Sequence, residues 1–262
     1  MSDAVVTTVD GNVGVITLNR PDKFNCISKS LVVGLNTAIN TLQTNPEVRV
    51  LLLHGAGKVF CTGADLTEIL ETRESQSELH AMLTDLMEVL RRFERGPLPV
   101  IAAVHGLALA GGLEMMMGCD VVFAAKSAKI GDQHAQYGLV PGGGNSQRLT
   151  RVLGRRRALD LMFSARWLGA EEALEWGLVN YVVEDEALLD EAMAYAKKVA
   201  SHSAVGLATM KQMVDDGIDM PQDRGLAYEV DLAVAGLRTA DSDEGLNAFR
   251  ERRTPQFAKR TV

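Results

Sequence analysis

The stretch PLPVIAAVHGLALAGGLEMMMGCD, residues 97–120, contains the features on which the interpretation of this chain depends. Its apolar run from Pro99 to Val104 predicts a buried strand, and the glycine-rich turn after it leads into a helix that begins near Gly111. One carboxylate, Glu114, lies inside the otherwise apolar part of this helix. Because a buried, ionised carboxylate is costly unless it is paired, neutralised or used in chemistry, Glu114 is a candidate functional residue.

The turn Ala110-Gly111-Gly112 supports this interpretation. Glycines leave the backbone N–H groups uncrowded, and the start of a helix favours negative charge. A developing oxyanion and a proton-transferring carboxylate would therefore lie within one helical turn of each other. The structural alternatives for Glu114 are a partly exposed helix position and a salt bridge to a distant arginine.

Residues 98–118 are also long and apolar enough to suggest a membrane-spanning helix. Pro97 and Pro99 break the start of this segment, and His105, Glu114 and several glycines interrupt the rest of it. These interruptions argue against a membrane span, so we expect no association with a membrane.

Length and composition indicate an ordinary globular protein. The chain has 262 residues, of which 47% are hydrophobic and 23% charged, and this is enough for a sizeable core. The formal net charge of -7 argues against a nucleic-acid partner, and the basic cluster 155–157 is too short to change that expectation. Without a signal-peptide pattern or a cysteine framework, a cytoplasmic location and reduced thiols are predicted. The three cysteines are Cys26, Cys61 and Cys119.

Strands and helices alternate along the first part of the chain, which indicates a layered α/β arrangement. Strands are predicted at the short β-rich or apolar runs 4–9, 13–18, 48–53, 99–104, 121–124 and 128–131. Helices are predicted where apolar residues recur at helical spacing, over 31–42, with Ser28 as N-cap, and over 77–94. A loop is predicted over 132–149, because it contains the turn Pro141-Gly142-Gly143-Gly144.

After Val183 the pattern becomes helical, with no strand signal. Helices are predicted over 188–199, 204–214, 222–237 and 241–252. We therefore divide the chain into an α/β core over residues 1–195 and a C-terminal helical region over 196–262. A helical tail of this kind packs on its own core or on a partner subunit.

Several segments together resemble the enoyl-CoA hydratase/isomerase (crotonase) family. NRPDKFNCIS (19–28) is similar to the family's N-R-P-x-x-x-N-A segment, and FCTGADL (60–66) resembles its F-x-x-G-A-D-[LI] loop. HGLALAGGLEMMMGCD (105–120) resembles the family's G-x-A-x-G-G-G-x-E-[LM]-x-x-x-C-D signature. Two further matches lie at 138–154 and 170–179, so the resemblance covers nearly the whole chain in the expected order.

The resemblance implies a spiral of repeated ββα units and a C-terminal helical region that forms homotrimers, or dimers of trimers. It also implies a coenzyme A thioester as substrate, with no separate cofactor or metal. The thioester carbonyl would be held by the N–H groups of Ala64 and Gly111. Two fixed backbone donors suit an enolate or tetrahedral oxyanion, because they need no reorganisation during the reaction. Without its partner motif, Gly63-Ala64-Asp65 would be interpreted as a tight turn that caps a helix.

The resemblance also suggests where coenzyme A binds. Its adenine side would lie along Ala64 to Thr67, and Lys23 and Phe24 would flank the pantetheine or the phosphates, although simple loop exposure explains these two residues as well. Phe249 and Lys259, on the terminal helix, would close over coenzyme A from a neighbouring subunit. The candidate substrate-binding residues are Lys23, Phe24, Ala64, Asp65, Leu66, Thr67, Gly111, Phe249 and Lys259.

The chain departs from the family at the second catalytic position. The family's hydratases use two glutamates to add water across the 2,3-double bond of an enoyl thioester, and Glu114 matches the first. The second lies seven residues before the proline of the P-G turn, and His134 occupies that position here. A histidine can act as general base or general acid near pH 7, so Glu114 could position the water while His134 protonates carbon 2. The alternative is that His134 is a loop histidine without a catalytic part.

The leading hypothesis is therefore hydration of a 2-enoyl-CoA by Glu114, His134 and the amides of Ala64 and Gly111. Double-bond isomerisation is an alternative, since the family's isomerases use a single carboxylate, usually at the position of His134. C–C bond hydrolysis is another, although hydrolases of the family that place a histidine there imply an aspartate where this chain has Gly143. A protein that binds acyl-CoA without catalysis is the remaining alternative. No spacing of histidines and cysteines indicates a metal site, and Cys61 is interpreted as a packing residue.

Overall fold

Two β-sheets and the helices that cover them form the fold. The structure is a computed structural model that describes residues 3–260. The strands are β1 (Val5–Asp10), β2 (Val13–Leu18), β3 (Val50–Gly55), β4 (Val100–Val104), β5 (Leu107–Leu109), β6 (Val121–Ala125), β7 (Lys129–Gly131), β8 (Leu168–Gly169) and β9 (Tyr181–Val183). The α-helices are α1 (Lys29–Gln43), α2 (Leu66–Thr72), α3 (Gln76–Arg95), α4 (Gly111–Met117), α5 (Asn145–Ser164), α6 (Ala170–Glu175), α7 (Leu188–Ala200), α8 (Ala204–Gly217), α9 (Gln222–Gly236) and α10 (Ala240–Glu251). Short 3-10 helices lie at Pro21–Lys23, Ala135–Tyr137 and Asp185–Ala187.

The larger sheet has the strand order β1-β2-β3-β4-β6-β9. Its first two strands form an antiparallel hairpin, and the other neighbours pair in parallel. The central strands β3 and β4 are buried along almost their whole length. A strand that is covered on both faces has a continuous run of apolar residues, and such runs predicted β3 and β4 from the sequence.

The smaller sheet, in the order β5-β7-β8, carries the chain towards Gly111. Strand β5 lies within the predicted glycine-rich turn and pairs in parallel with β7. Leu109 at its end donates a hydrogen bond of 3.0 Å from its N–H to the Cys61 carbonyl. The smaller sheet therefore fixes the start of α4 against the loop that contains Ala64.

The predicted helices over 31–42 and 77–94 are confirmed as α1 and α3. Ser28 caps α1 as expected, since its Oγ accepts a hydrogen bond of 3.2 Å from the N–H of Leu31. The predicted loop over 132–149 was wrong in its last five residues, because α5 begins at Asn145. Gly144, at φ 111°, supplies the left-handed backbone that lets the chain turn directly into this helix.

The predicted helices after Val183 are confirmed as α7 to α10. The proposed division between residues 195 and 196 falls inside α7, which packs against the larger sheet, and the division stays a prediction. Residues 1–2 and 261–262, at the outer ends of the two predicted ranges, lie outside the described residues. Across residues 3–260, no helix has both the length and the apolar character needed to cross a membrane.

Candidate active site

The loop over 60–65 and the start of α4 lie in direct contact. A Cβ built on Gly63 would lie 3.3 Å from the backbone nitrogen of Gly111, and one built on Gly111 would lie 3.7 Å from the backbone nitrogen of Ala64. Neither nitrogen donates a hydrogen bond to another group within residues 3–260. Two adjacent N–H groups without partners in the chain are what an oxyanion hole requires.

Ala110, the residue before Gly111, has a strained backbone. Its φ of 48° and ψ of -114° lie in a region that non-glycine residues rarely adopt. Such a conformation costs about 1–3 kcal/mol, and it persists only where surrounding contacts enforce it. One such contact is the hydrogen bond of 2.9 Å from the Ala110 N–H to the Gly131 carbonyl of β7. The strain is therefore stored next to one of the two predicted oxyanion donors.

Asn25 holds the segment that leads into the loop over 60–65. Its side chain is fully buried, and its Nδ2 donates to the carbonyls of Ala56 and Val59 at 2.9 and 2.8 Å. Its Oδ1 accepts a hydrogen bond of 2.8 Å from the N–H of Arg20. All the hydrogen-bonding groups of this amide are engaged except one lone pair, so Asn25 has a structural role in supporting the site.

Asp65 is also used within the chain. Its Oδ2 accepts a hydrogen bond of 3.0 Å from the Arg20 guanidinium, and its Oδ1 caps α2 by accepting 3.2 Å from the N–H of Thr67. The same guanidinium donates to the Cys26 carbonyl at 2.7 Å. These bonds tie the segment over 19–28 to the loop over 60–66, so the two predicted motifs form one structural unit.

Glu114 is buried, with only 2% of its surface exposed. Its Oε1 accepts hydrogen bonds from the N–H groups of Gly143 and Asn145 at 2.8 and 3.2 Å. Among residues 3–260, no arginine or lysine pairs with it. Both structural alternatives for Glu114 are therefore excluded. Burial raises the pKa of this carboxyl, although the Asn145 N–H opposes the rise, and this makes Glu114 suited to gaining and losing a proton.

His134 is held in place by Asp132. The His134 ring Nδ1 lies 2.8 Å from Asp132 Oδ1, and the His134 backbone N–H donates to the same oxygen at 3.0 Å. Only 13% of the His134 side chain is exposed. Burial alone would lower the pKa of His134, but the hydrogen bond and the charge of Asp132 outweigh it, so the pKa is raised. These contacts fix the orientation of the ring, and the catalytic part of His134 stays a prediction.

Asn145 connects the two predicted proton-transfer residues. Its backbone N–H binds Glu114, and its Nδ2 donates to Asp132 Oδ2 at 2.8 Å. The sequence analysis missed both Asn145 and Asp132. A signal for Asp132 existed, because an aspartate two residues before His134 can accept from the backbone N–H of that residue in an Asx-turn. No comparable signal marked Asn145.

The predicted coenzyme A contacts outside the oxyanion loops lie on the surface. Phe24, Leu66 and Phe249 are exposed, Phe249 most of all at 84%. Lys23 and Thr67 are exposed as well. Whether these residues bind substrate stays a prediction.

The expectation that Lys259 lies on the terminal helix was wrong. Helix α10 ends at Glu251, because Arg252 adopts the left-handed conformation with φ 55° and its N–H bonds back to Ala248. Lys259 lies in the extended segment that follows and pairs with Glu47 of the same chain. This places its ammonium group beside the segment between α1 and β3.

Two other features are not part of the predicted catalytic group. A cavity of about 680 Å³ borders Gly144 and Arg148, but in the described chain none of the predicted catalytic residues lines it. Cys61 is fully buried, and burial raises the pKa of its thiol to about 12, as expected for a packing residue.

Within residues 3–260, no group of three or more His, Cys, Asp or Glu side chains is placed to hold a metal ion.

The two sheets, the helices that cover them and the helical C-terminal region match the fold of the crotonase class of proteins. The enoyl-CoA hydratase/isomerase family model matches residues 8–260, and the chain belongs to this family. The expected fold class and family are therefore confirmed.

Individual relatives cover almost the whole chain. A probable enoyl-CoA hydratase of Mycobacterium bovis is 36% identical over 258 residues, which are 98% of this chain and 99% of that protein. A 1,2-epoxyphenylacetyl-CoA isomerase of Escherichia coli is 34% identical over 259 residues, with 98% and 99% coverage. The crystal structure of an enoyl-CoA hydratase from Bacillus anthracis superposes with a TM-score of 0.92 at 34% identity, covering 97% of this chain and 98% of that one. Relatives of similar identity therefore carry both hydratase and isomerase names.

Proposed function

We propose that this protein hydrates a 2-enoyl-CoA thioester to the 3-hydroxyacyl-CoA. The observation that carries the proposal is the placement of a buried Glu114 in one hydrogen-bonded network with His134, on the helix that begins at Gly111. The network supplies a carboxylate that can accept a proton and an imidazolium that can donate one. The adjacent N–H groups of Ala64 and Gly111 supply the donors for the thioester oxygen.

In the proposed reaction the thioester carbonyl oxygen accepts hydrogen bonds from Ala64 and Gly111. Glu114 takes a proton from water as the water oxygen bonds to carbon 3, and the electron pair of the double bond moves onto the thioester oxygen as an enolate. The enolate collapses when the His134 imidazolium donates its proton to carbon 2. Transfer of the proton from Glu114 back to His134, through solvent, then restores the starting state. The chemistry requires no metal or organic cofactor, since coenzyme A is part of the substrate.

Gly143 disfavours C–C bond hydrolysis of the kind that pairs a histidine with an aspartate at this position. A Cβ on residue 143 would lie 2.4 Å from Glu114 Oε2, so a larger side chain there and Glu114 in its present position exclude each other. Double-bond isomerisation remains the second candidate, because the family includes isomerases and the same two groups could move a proton between carbons. The raised pKa of the buried Glu114, due to desolvation, favours an enzyme over a binding protein.

Hydration of crotonyl-CoA, followed by the loss of enoyl absorbance, tests this proposal. We expect His134→Ala to lower kcat by about 10²-fold, because a general acid is lost, and His134→Glu to recover part of the rate. The matched control is His80→Ala, which removes an exposed histidine of α3 and should leave kcat unchanged. Equal rates in the wild type and both His134 variants would exclude the imidazole from catalysis. Tight binding without turnover of enoyl-, dienoyl- or β-keto-acyl thioesters would identify a binding protein instead.

The adenine side of coenzyme A is proposed to lie along Ala64–Thr67, with Lys23 and Phe24 beside its pantetheine arm or its phosphates. The support for this placement is the exposure of these side chains beside the oxyanion loop. The cytoplasmic location predicted from the cysteine usage remains a prediction.

We also propose that the C-terminal helices assemble the protein into a homotrimer, or a dimer of trimers. Met210 and Val214 on α8, and Ile218 directly after it, recur every four residues and are each 64–65% exposed. A similar apolar row lies on α9, and such surfaces mark protein interfaces. Phe249 on α10 would then reach the coenzyme A of a neighbouring subunit.

Light scattering should give three or six times the mass of one chain. Val214→Glu should shift the protein towards the monomer, because a charge at the centre of an apolar interface is left without a partner. Val33→Glu is the matched control, since Val33 on α1 is equally exposed, at 65%, but lies outside the helical region. A monomeric wild type, or identical masses for the two variants, would contradict the proposed assembly.

A further inference from the structure

The buried carboxylate of Asp132 lies between His134 and Asn145. Its Oδ1 lies 2.8 Å from His134 Nδ1 and accepts 3.0 Å from the His134 backbone N–H, and its Oδ2 accepts 2.8 Å from Asn145 Nδ2. The residue is 0% exposed. Each oxygen therefore accepts from an N–H donor whose position is fixed, and a carboxylate can accept a further hydrogen bond from an Nδ1–H group of the His134 ring.

We propose that Asp132 is a positioning residue for the reaction, which holds His134 with Nδ1 protonated and leaves Nε2 as the nitrogen that exchanges a proton with substrate. Asn145 holds the second carboxylate oxygen of Asp132 through its side-chain amide, and its backbone N–H binds Glu114. The inference rests on the proposed role of His134 as proton donor. It adds an aspartate and an asparagine that the sequence analysis did not identify.

One atom of the Asn145 side chain has no partner in the network. Its Oδ1 is buried and accepts no hydrogen bond within residues 3–260. The amide cannot be turned around, because its oxygen would then face the Asp132 carboxylate. The orientation of Asn145 therefore keeps the bond to Asp132 and leaves a buried acceptor unpaired, which is expected next to a functional group.

Both charged groups that face His134 favour its imidazolium form. Asp132 acts through the hydrogen bond and its charge, and Glu114 acts through its charge, while burial opposes them. Asp132 lies on the same segment as His134, and Glu114 lies on α4. Removing the charge of Asp132 should therefore lower the pKa of His134, and the pH profile of kcat should shift with it only if His134 transfers a proton in the reaction.

The test is NMR titration of the His134 ring nitrogens in the unliganded protein. For the wild type above the ring pKa we expect the Nδ1–H tautomer, and an Nε2–H tautomer would overturn the proposal without any variant. Asp132→Asn keeps the size of the side chain and an acceptor for Nδ1–H, but removes the charge. We expect it to lower the pKa of His134 by about 1 unit, from the loss of an opposite charge in contact.

The control variant is Asp185→Asn, which removes the exposed carboxylate that interacts with His105. It should alter the titration of His105 and leave that of His134 unchanged. In crotonyl-CoA hydration, Asp132→Asn should lower kcat about 10-fold or more with little change in KM, and move the pH profile towards acid. An unchanged His134 titration, or an unchanged kcat at every pH, would refute the positioning role. Because the titration needs no substrate, a wild type without hydratase activity would refute the proposed function and leave the ring measurement valid.

Discussion

Replacement of Glu114 by glutamine is expected to lower kcat for enoyl-CoA hydration by about 10²–10⁴-fold, the usual contribution of a general base. Glutamine keeps the shape of the side chain, and its Oε1 can still accept from the N–H groups of Gly143 and Asn145. It cannot take a proton from water. The expected result is an inactive protein with an unchanged fold, measured by steady-state kinetics and thermal unfolding on the same preparation.

The stability of this variant should depend on pH in a defined direction. Burial raises the pKa of Glu114 above its value in the unfolded chain, so the folded protein loses stability as pH rises through the folded pKa. The glutamine variant has no titrating group at this position and does not lose stability in this way. The difference in the free energy of unfolding between the variant and the wild type should therefore grow in favour of the variant as pH rises, and vanish in acid. Glu88→Gln, at an exposed position of α3, is the control that should change neither quantity. A Glu114→Gln variant that keeps full activity, or that unfolds at pH 8 more readily than the wild type, would contradict the proposed role.

Local sequence patterns were sufficient to predict most of the strands and helices of the fold. Strands β3 and β4 are continuous apolar runs, and α1 and α3 have apolar residues at helical spacing, so each could be recognised without long-range information. Strand β5 could not, because it is three residues long and exists through its pairing with β7, about twenty positions later. The start of α5 was hidden by the glycines before it, which predict a turn but do not show where the turn ends.

The candidate site was predictable only where a residue type is unusual for its surroundings. Glu114 stands out as a carboxylate in an apolar helix, and Gly111 as a glycine at a helix start. Asn145 is one of several polar residues in its loop, so nothing in the sequence distinguished it, and the Asx-turn signal of Asp132 predicts a local turn but no contact with the rest of the site. Their roles come from side-chain contacts between positions 13 residues apart, which only the folded chain defines. His134 was identified by its position in the family motif, whereas its partner Asp132 was identified by its contacts in the structure.

Gly143→Ala is expected to reduce kcat by about 10²–10³-fold, although it adds only one methyl group. The new Cβ would lie 2.4 Å from Glu114 Oε2 and 2.7 Å from the carboxyl carbon, so the carboxylate has to move. The hydrogen bond of 2.8 Å from the Gly143 N–H to Oε1 would be lost with it. A misplacement of about 1 Å is enough to cost about 10²-fold in rate, and loss of a fixed donor adds to that.

Gly142 provides the control, because a methyl group added there contacts the side chain of Leu83 and not the carboxylate of Glu114. A Cβ on Gly142 would lie 2.7 Å from a terminal methyl of Leu83, and that side chain is 39% exposed and free to change its rotamer. Gly142→Ala should therefore retain activity within a few-fold of the wild type, while Gly143→Ala does not. If both alanine variants lose activity equally, the effect belongs to the turn as a whole. If neither does, the carboxylate of Glu114 has room to reposition, and its fixed placement cannot be the source of the rate.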